Sequence, residues 1–285
     1  MLYVTKDDAL LLFRNNLEFR NLSPNTVRMY SWYVSVFLDR YPLINPGSLS
    51  LVEAQEHVLF LKNEIGYKPS SLNCVICALR YFFDVVLNIS FSRRQFPNII
   101  YDQRDFFIFS DDQIIDLISH ADCRLRSWIF LGFDCGLRAS EVCALRISDI
   151  DSKNMVIHIR NSKRHKSRTV KLSAACLGAL RDYWRVYRPD DYLYPGRKNP
   201  SVNVASVHRD FHILLSSLYM DSPEIHFHCL RHTFATRMLE NGCDIFLLKK
   251  LMGHSNLAST AVYIHKIDKD VKESFSLSDR MELSK

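Results

Sequence analysis

His228-Cys229-Leu230-Arg231-His232-Thr233-Phe234-Ala235-Thr236-Arg237-Met238-Leu239-Glu240, followed by Asn241-Gly242, is the stretch on which the fold of this 285-residue chain turns. Asn-Gly is a helix stop, and the run before it reads as one helix. On that helix His228 and Arg231 stand at i and i+3, side by side on one face. The spacing suits joint work on one small anion. Downstream, a helix from about Asp244 to Met252 leads into Leu251-Met252-Gly253-His254-Ser255-Asn256, which sets a histidine in a tight turn. Tyr263 follows nine residues after His254, on a further helix expected from Leu257 to His265.

Upstream, an apolar helix over Trp128 to Cys135 ends at Gly136, and Gly136-Leu137-Arg138-Ala139-Ser140-Glu141 puts an arginine at a helix start with a carboxylate three residues on. There Glu141 can orient local backbone or side chains. Met155 to Arg160 alternate apolar and polar residues, and Thr169 to Leu172 do so again, so two strands are expected. They flank Lys163-Arg164-His165-Lys166-Ser167-Arg168-Thr169-Val170-Lys171, a basic run able to grip phosphates or to be a solvated hairpin tip. Lys163 is expected on this hairpin.

Ser110-Asp111-Asp112-Gln113 is a capping-box pattern that opens the second half. Before it, from Asn88 to Phe109, the helical period fails around Pro97, Arg93, Arg94 and Arg104, which marks a linker. The domains are therefore expected at 1–103 and 104–285. The first is helical: Ser23-Pro24 opens a helix carrying Val27, Tyr30, Val34, Phe37, Leu38 and Tyr41, Ser50 with Glu53 caps a second that stops near Gly66, and a third runs from Ser71 to Val86. Arg28 and Arg80 lie off these apolar stripes, where they are able to touch a backbone phosphate. The fold class is mainly α with a small β-sheet.

Hydrophobic residues make up 47% of the chain and charged residues 24%, with no apolar run long enough to cross a bilayer. The N-terminus lacks the basic and apolar regions of a secretion signal, so a cytoplasmic location with no membrane partner is expected. Most of the eight cysteines sit in apolar helical patterns as small hydrophobes, and Cys74-x-x-Cys77 has no second pair at zinc spacing. His226, His228, Cys229 and His232 suggest a zinc site at first sight. Neighbouring helical residues point about 100° apart, however, so one ion does not easily collect them. The net charge of +6 is uneven: residues 1–103 hold 10 Lys+Arg against 9 Asp+Glu, and the rest 27 against 22. The surplus lies mostly in the second part and is densest in the run from Lys163 to Lys171.

Arg138, Lys163, His228, Arg231, His254 and Tyr263, in that order, resemble the motifs of the tyrosine recombinase (phage integrase) family: a GLRxSE-like box, a hairpin lysine, HxxR, a GH pair and a tyrosine. Ser23-Pro24-Asn25-Thr26-Val27 and Ser70-Ser71-Leu72-Asn73 with Leu79-Arg80-Tyr81-Phe82-Phe83 are similar to the core-binding domain of its Xer-like, two-domain branch. The resemblance implies an N-terminal SAM-like helical bundle, an α+β catalytic domain and site-specific cutting and rejoining of DNA through a 3′-phosphotyrosyl intermediate. Tyr263 would be the nucleophile, Arg138 and Arg231 bidentate clamps on the charged transition state, His254 a further donor to it, His228 an aid to proton transfer at the tyrosine, and Lys163, in preference to Lys166, the acid for the leaving 5′-oxygen.

No cofactor and no metal are implied. The implied partners are double-stranded DNA with inverted-repeat sites and a homo-tetramer, or a hetero-tetramer with a related recombinase, coupled through docking of the tail from Asp268 to Lys285 on a neighbour. The competing readings are a type IB topoisomerase-like nicking-closing enzyme and a catalytically idle DNA-binding factor.

Overall fold

The computed structural model describes residues 5–101, 105–160 and 167–264. The chain divides into two compact units, Met1–Arg104 and Asp105–Lys285.

The first unit is a helical bundle. Helix α1 (Lys6–Phe19) starts at Thr5, whose hydroxyl accepts the Asp8 amide, and carries Asp7 and Asp8 in the first turn, where acids meet the positive end of the helix. α2 (Pro24–Arg40) has Ser23 as its cap and a proline in the first turn. In α3 (Leu51–Asn63) the Ser50 amide donates to Glu53 at 2.8 Å, closing a capping box. α4 (Pro69–Val86) buries Leu72, Val75, Ile76, Ala78, Leu79, Phe82 and Phe83. Phe13 and Phe37 meet Phe82 edge-on, at 5.7 and 6.5 Å, the geometry that aromatic quadrupoles favour.

The irregular stretch after α4 is not a free linker. Phe96 is buried in this core, and Asn73 pins the backbone of Ile99 through both its amide groups. The two arginines considered for phosphates are engaged locally, Arg80 with Asn98 and Arg28 with Asn25.

The second unit begins with α5 (Asp111–His120), where Ser110 and Gln113 form the expected capping box, and α6 (Cys123–Phe133), capped by Asp122. Gly136 then turns the chain with φ +64°; a Cβ there would lie 2.5 Å from the Phe234 ring, so only glycine fits. α7 (Ala139–Ala144) follows, with Arg138 at its N-cap. An antiparallel three-stranded sheet comes next: β1 (Ile150–Asp151), β2 (Val156–Ile159) and β3 (Arg168–Lys171), in the order β1-β2-β3. Its last described pair, Ile159 opposite Arg168, is the base of the basic hairpin.

α8 (Ala174–Tyr187) and α9 (Val204–Ser217) close the core around Trp128, Tyr194 and Phe211. α10 (His228–Glu240), α11 (Ile245–Met252) and the short α12 (Ala258–Ala261) carry the remaining motif residues. The Thr233 hydroxyl donates to the Cys229 carbonyl and accepts the Phe109 amide, fixing α10 against the segment that precedes α5. The architecture is mainly α with a small sheet, as the sequence indicates, while α1, α8, α9 and β1 are elements that its periodicity did not single out. Among the described residues no helix is long and apolar enough to cross a membrane.

Candidate active site

α10 is packed on most sides, and among its buried residues is an arginine. Arg231 is 1% exposed. A guanidinium buried without partners would cost several kcal/mol, so its acceptors define the site. It donates to the carbonyls of Gly136 and Met252 and approaches Glu141 at 3.7 Å. Burial first, then the charge of Arg138, draws Arg231 down to about 9, still cationic at neutral pH.

Glu141 is the hub. Its carboxylate accepts the Arg138 amide at 2.8 Å and the Arg138 guanidinium at 3.0 Å, so the N-cap of α7 is also an ion pair. From β3, Arg168 reaches it through two parallel bonds of 2.7 and 2.9 Å, the bidentate geometry that fits guanidinium to carboxylate. Burial would raise this carboxyl; the hydrogen bonds and charge of Arg168, the Arg138 amide and the charge of Arg231 outweigh it and hold it at about 2. Three guanidiniums face one carboxylate, which leaves a net positive cradle. Arg138, its side chain 33% exposed, is the member open to an incoming anion.

The C-terminus of α11 supplies the rest of the cradle. Its last carbonyls have no partners inside the helix and form the negative end of its dipole. Leu251 O accepts Arg168 Nε at 2.6 Å, and Met252 O accepts Arg231. Gly253 ends the helix in the left-handed region, φ +61°, where a Cβ would come within 3.0 Å of the Arg168 guanidinium. Arg168 belongs to the run read as phosphate-gripping, yet its side chain is only 5% exposed. It braces the site from within.

His254 follows this turn. Its Nε2 lies 3.1 Å from Arg231 Nη2 and its Nδ1 lies 3.0 Å from the buried Thr260 hydroxyl. A guanidinium only donates, so Nε2 is the acceptor and Nδ1 carries the proton in this arrangement. Burial, then the charges of Arg231, Arg138 and Arg168, lower His254 to about 4.

Tyr263, just past α12, is 2% exposed and packs in a small cluster with Ala235, Leu239, Leu248 and Met252. Its ring lies parallel to that of His254, 6.5 Å away and tilted by 10°. Burial raises its hydroxyl, against the lowering charges of Arg231 and Arg138. The hydroxyl is 3.1 Å from Nδ1 of His232. His228 begins α10 and meets the His232 ring edge-on at 4.7 Å; burial and the surrounding positive groups, His232 first, lower it to about 3.

The structure thus brings Arg138, His228, Arg231, His254 and Tyr263 into one region and adds Glu141, Arg168 and His232. Lys163, Lys166 and the tail from Asp268 lie outside the described residues.

As to metals, Cys229 contacts Glu224 O and His226 Nδ1 rather than forming a cluster with His228 and His232. Among the described residues, Asp134, Cys135 and Cys176 do lie within 4.8 Å of one another. There the two thiols are 3.9 Å apart, Asp134 accepts the Ser173 hydroxyl, and the contact with Cys176 and burial push the Cys135 thiol far up.

Comparison with known proteins places these features among relatives. The phage integrase family model matches residues 109–270, and a phage integrase N-terminal SAM-like domain matches residues 10–92. The sequence is 33% identical over 257 residues to the tyrosine recombinase XerA of Thermococcus onnurineus, spanning 88% of each chain. Identity to XerA of Pyrococcus furiosus is 30% over 281 residues, 97% of this chain and 96% of that one. The fold is similar to that of the XerH site-specific recombinase bound to difH substrate in a pre-cleavage complex, with TM-score 0.74, 18% identity and 98% of both chains covered. It is also similar to crystalline XerA recombinase, with TM-score 0.53, 26% identity, and 94% and 96% covered.

Proposed function

The chain belongs to the phage integrase family of tyrosine recombinases, and from that premise we propose that Tyr263 is its nucleophile and that Arg138, Arg231, His228, His254 and Lys163 serve it. The enzyme is a site-specific recombinase that breaks and rejoins DNA. One observation carries the residue assignment: the buried Arg231 touches the His254 ring, which lies parallel to Tyr263, so anion cradle and tyrosine share one site.

In this reading Tyr263 Oη attacks a backbone phosphorus, giving a 3′-phosphotyrosyl bond and a 5′-hydroxyl. Negative charge gathers on the non-bridging oxygens, and fixed guanidiniums stabilise it without reorganising. Arg231 is held in place before substrate arrives, and Arg138 closes from the exposed side. Glu141 and Arg168 keep both oriented. His254 donates to the same oxygens once an anion displaces Arg231 from Nε2 and favours a proton there. Lys163 protonates the leaving 5′-oxygen, and His228 supports proton transfer around Tyr263.

The covalent link conserves the energy of the broken bond, so religation needs no nucleotide. The partner is duplex DNA with inverted-repeat sites, bound by a homo-tetramer or a hetero-tetramer with a related recombinase, in the cytoplasm. A nicked suicide substrate tests the assignment: Tyr263→Phe should abolish the covalent adduct while keeping the mobility shift, and a surviving adduct would sink it. Two marked sites should yield recombinants; relaxed plasmid without recombinants would instead indicate a nicking-closing enzyme.

A further inference from the structure

The Tyr263 hydroxyl is engaged by His232, a residue outside the six-member set. Nδ1 of His232 is 3.1 Å from Oη, within direct hydrogen-bond reach. Two further rings fix the imidazole: Phe106 stacks on it at 4.5 Å and 23°, and His228 meets it edge-on at 4.7 Å and 88°. Phe106 also meets Tyr263 edge-on at 5.1 Å, so one phenyl ring packs on both partners of the hydrogen bond. His228 lies one helical turn before His232 on the same face of α10 and supports the ring that touches the hydroxyl.

We propose that His232 is the general base of the cleavage step, accepting at Nδ1 the proton that Tyr263 loses as its oxygen attacks phosphorus. The proposal rests on the reading of Tyr263 as nucleophile. As the Oη–H bond breaks, Oη bonds to phosphorus, the P–O5′ bond breaks and the 5′-oxygen takes a proton from the leaving-group acid. His232 is left as imidazolium. In religation the 5′-hydroxyl attacks and gives its proton back to the leaving-group acid, Tyr263 Oη departs and His232 returns its proton to it, so no proton is gained or lost over the cycle.

The surroundings suit a base that must be neutral before the reaction. Burial, then the positive influence of His226 and Arg231, lowers His232 to about 4, which keeps a lone pair on the ring at neutral pH. The groups about it are His226, His228 and Arg231 from α10 and the turn before it, Tyr263 from beyond α12, and the segment of Phe106 with exposed Asp105. The neighbouring cation Arg231 also favours return of the proton. The need is plain: a tyrosine with the ordinary value near 10 is ionised to only about one part in a thousand at pH 7, and burial raises this one further.

Adduct formation on the nicked suicide duplex decides the matter when measured for His232→Ala and His232→Asn from pH 7 to 9. Asparagine keeps an acceptor near the position of Nδ1 but takes no proton. Both variants should shift the DNA normally and cleave about 100-fold or more slowly at pH 7. The deficit should shrink roughly tenfold per pH unit as tyrosinate forms unaided. Full activity in either variant, rescue by asparagine, or a deficit that ignores pH would overturn the role of His232. Tyr263→Phe in parallel separates the two ideas, because a surviving adduct strikes at the nucleophile, whereas its absence beside a fully active His232→Asn strikes only at the base.

Discussion

The arginine cradle and the tyrosine that lies beside it are held by different means. Arg231 and Arg168 are cross-linked to α7, α11 and the turn at Gly136 by hydrogen bonds to backbone carbonyls and to Glu141. Tyr263 follows a four-residue helix whose N-cap makes no side-chain hydrogen bond; it is held by apolar and ring packing, the bond of its amide to the Thr260 carbonyl and the contact of its hydroxyl with His232. A helix that short has little stability of its own, because nucleation outweighs the few bonds it closes. The contrast fits the chemistry. Under the proposed roles, groups that stabilise charge work best when fixed in advance, whereas a nucleophile has to be delivered to phosphorus.

Substitutions should therefore separate the two regions. The largest effect is expected at Arg231→Ala, which removes a buried cation and orphans the carbonyls of Gly136 and Met252. Denaturant titration should show a loss of about 3–5 kcal/mol, with cleavage reduced about 1,000-fold or more. Tyr263→Phe should be equally inactive yet lose only about 1 kcal/mol. Equal destabilisation by both would erase the contrast.

Next is Glu141→Gln, which leaves Arg138, Arg168 and Arg231 facing one another without their shared counter-charge. About 3 kcal/mol of stability should be lost, and high salt should restore little of it because the hub is buried.

The smallest and broadest effect is acid sensitivity. His228, His232 and His254 resist protonation in the native state, at about 3, 4 and 4. The unfolded chain takes up those protons near pH 6.5, so their stabilising contribution is present above that pH and lost as pH falls toward 4. Glu141, held at about 2, has the same sign in a lower window: its contribution is present above the ordinary carboxylate range and lost as pH drops toward 2. Thermal melts from pH 7 to 4 should fall steadily, and less steeply in His232→Asn.

Much of this was legible in the chain. Ser50 with Glu53 and Ser110 with Gln113 fold as the capping boxes they spell, because cap chemistry is local. Arg138 and His254 follow turns marked by Gly136 and Gly253, and His228 with Arg231 shares the first turn of α10, whereas Tyr263 follows a short helix with no cap of its own. The role of Arg168 was hidden by its neighbours, since a run of cations reads as solvent-facing. The alternation of β3 held the clue: Arg168 and Val170 face inward while Thr169 and Lys171 face out. His232 was obscured differently, being adjacent to Arg231 and therefore about 100° around the helix from it. Only tertiary packing shows that this other face meets Tyr263. α8 and α9 do start at caps, Ser173 accepting the Cys176 amide and Asn203 the Ser206 amide, but neither start carries the first-turn proline or the Glu/Gln partner that marks α2, α3 and α5 in the sequence.

The central claim is that this cradle serves Tyr263. Digesting the covalent complex trapped on a nicked substrate and identifying the DNA-linked peptide by mass spectrometry tests it most directly. The phosphodeoxynucleotide should be found on Tyr263, in the peptide that follows Lys250; a link to any other residue would contradict the account.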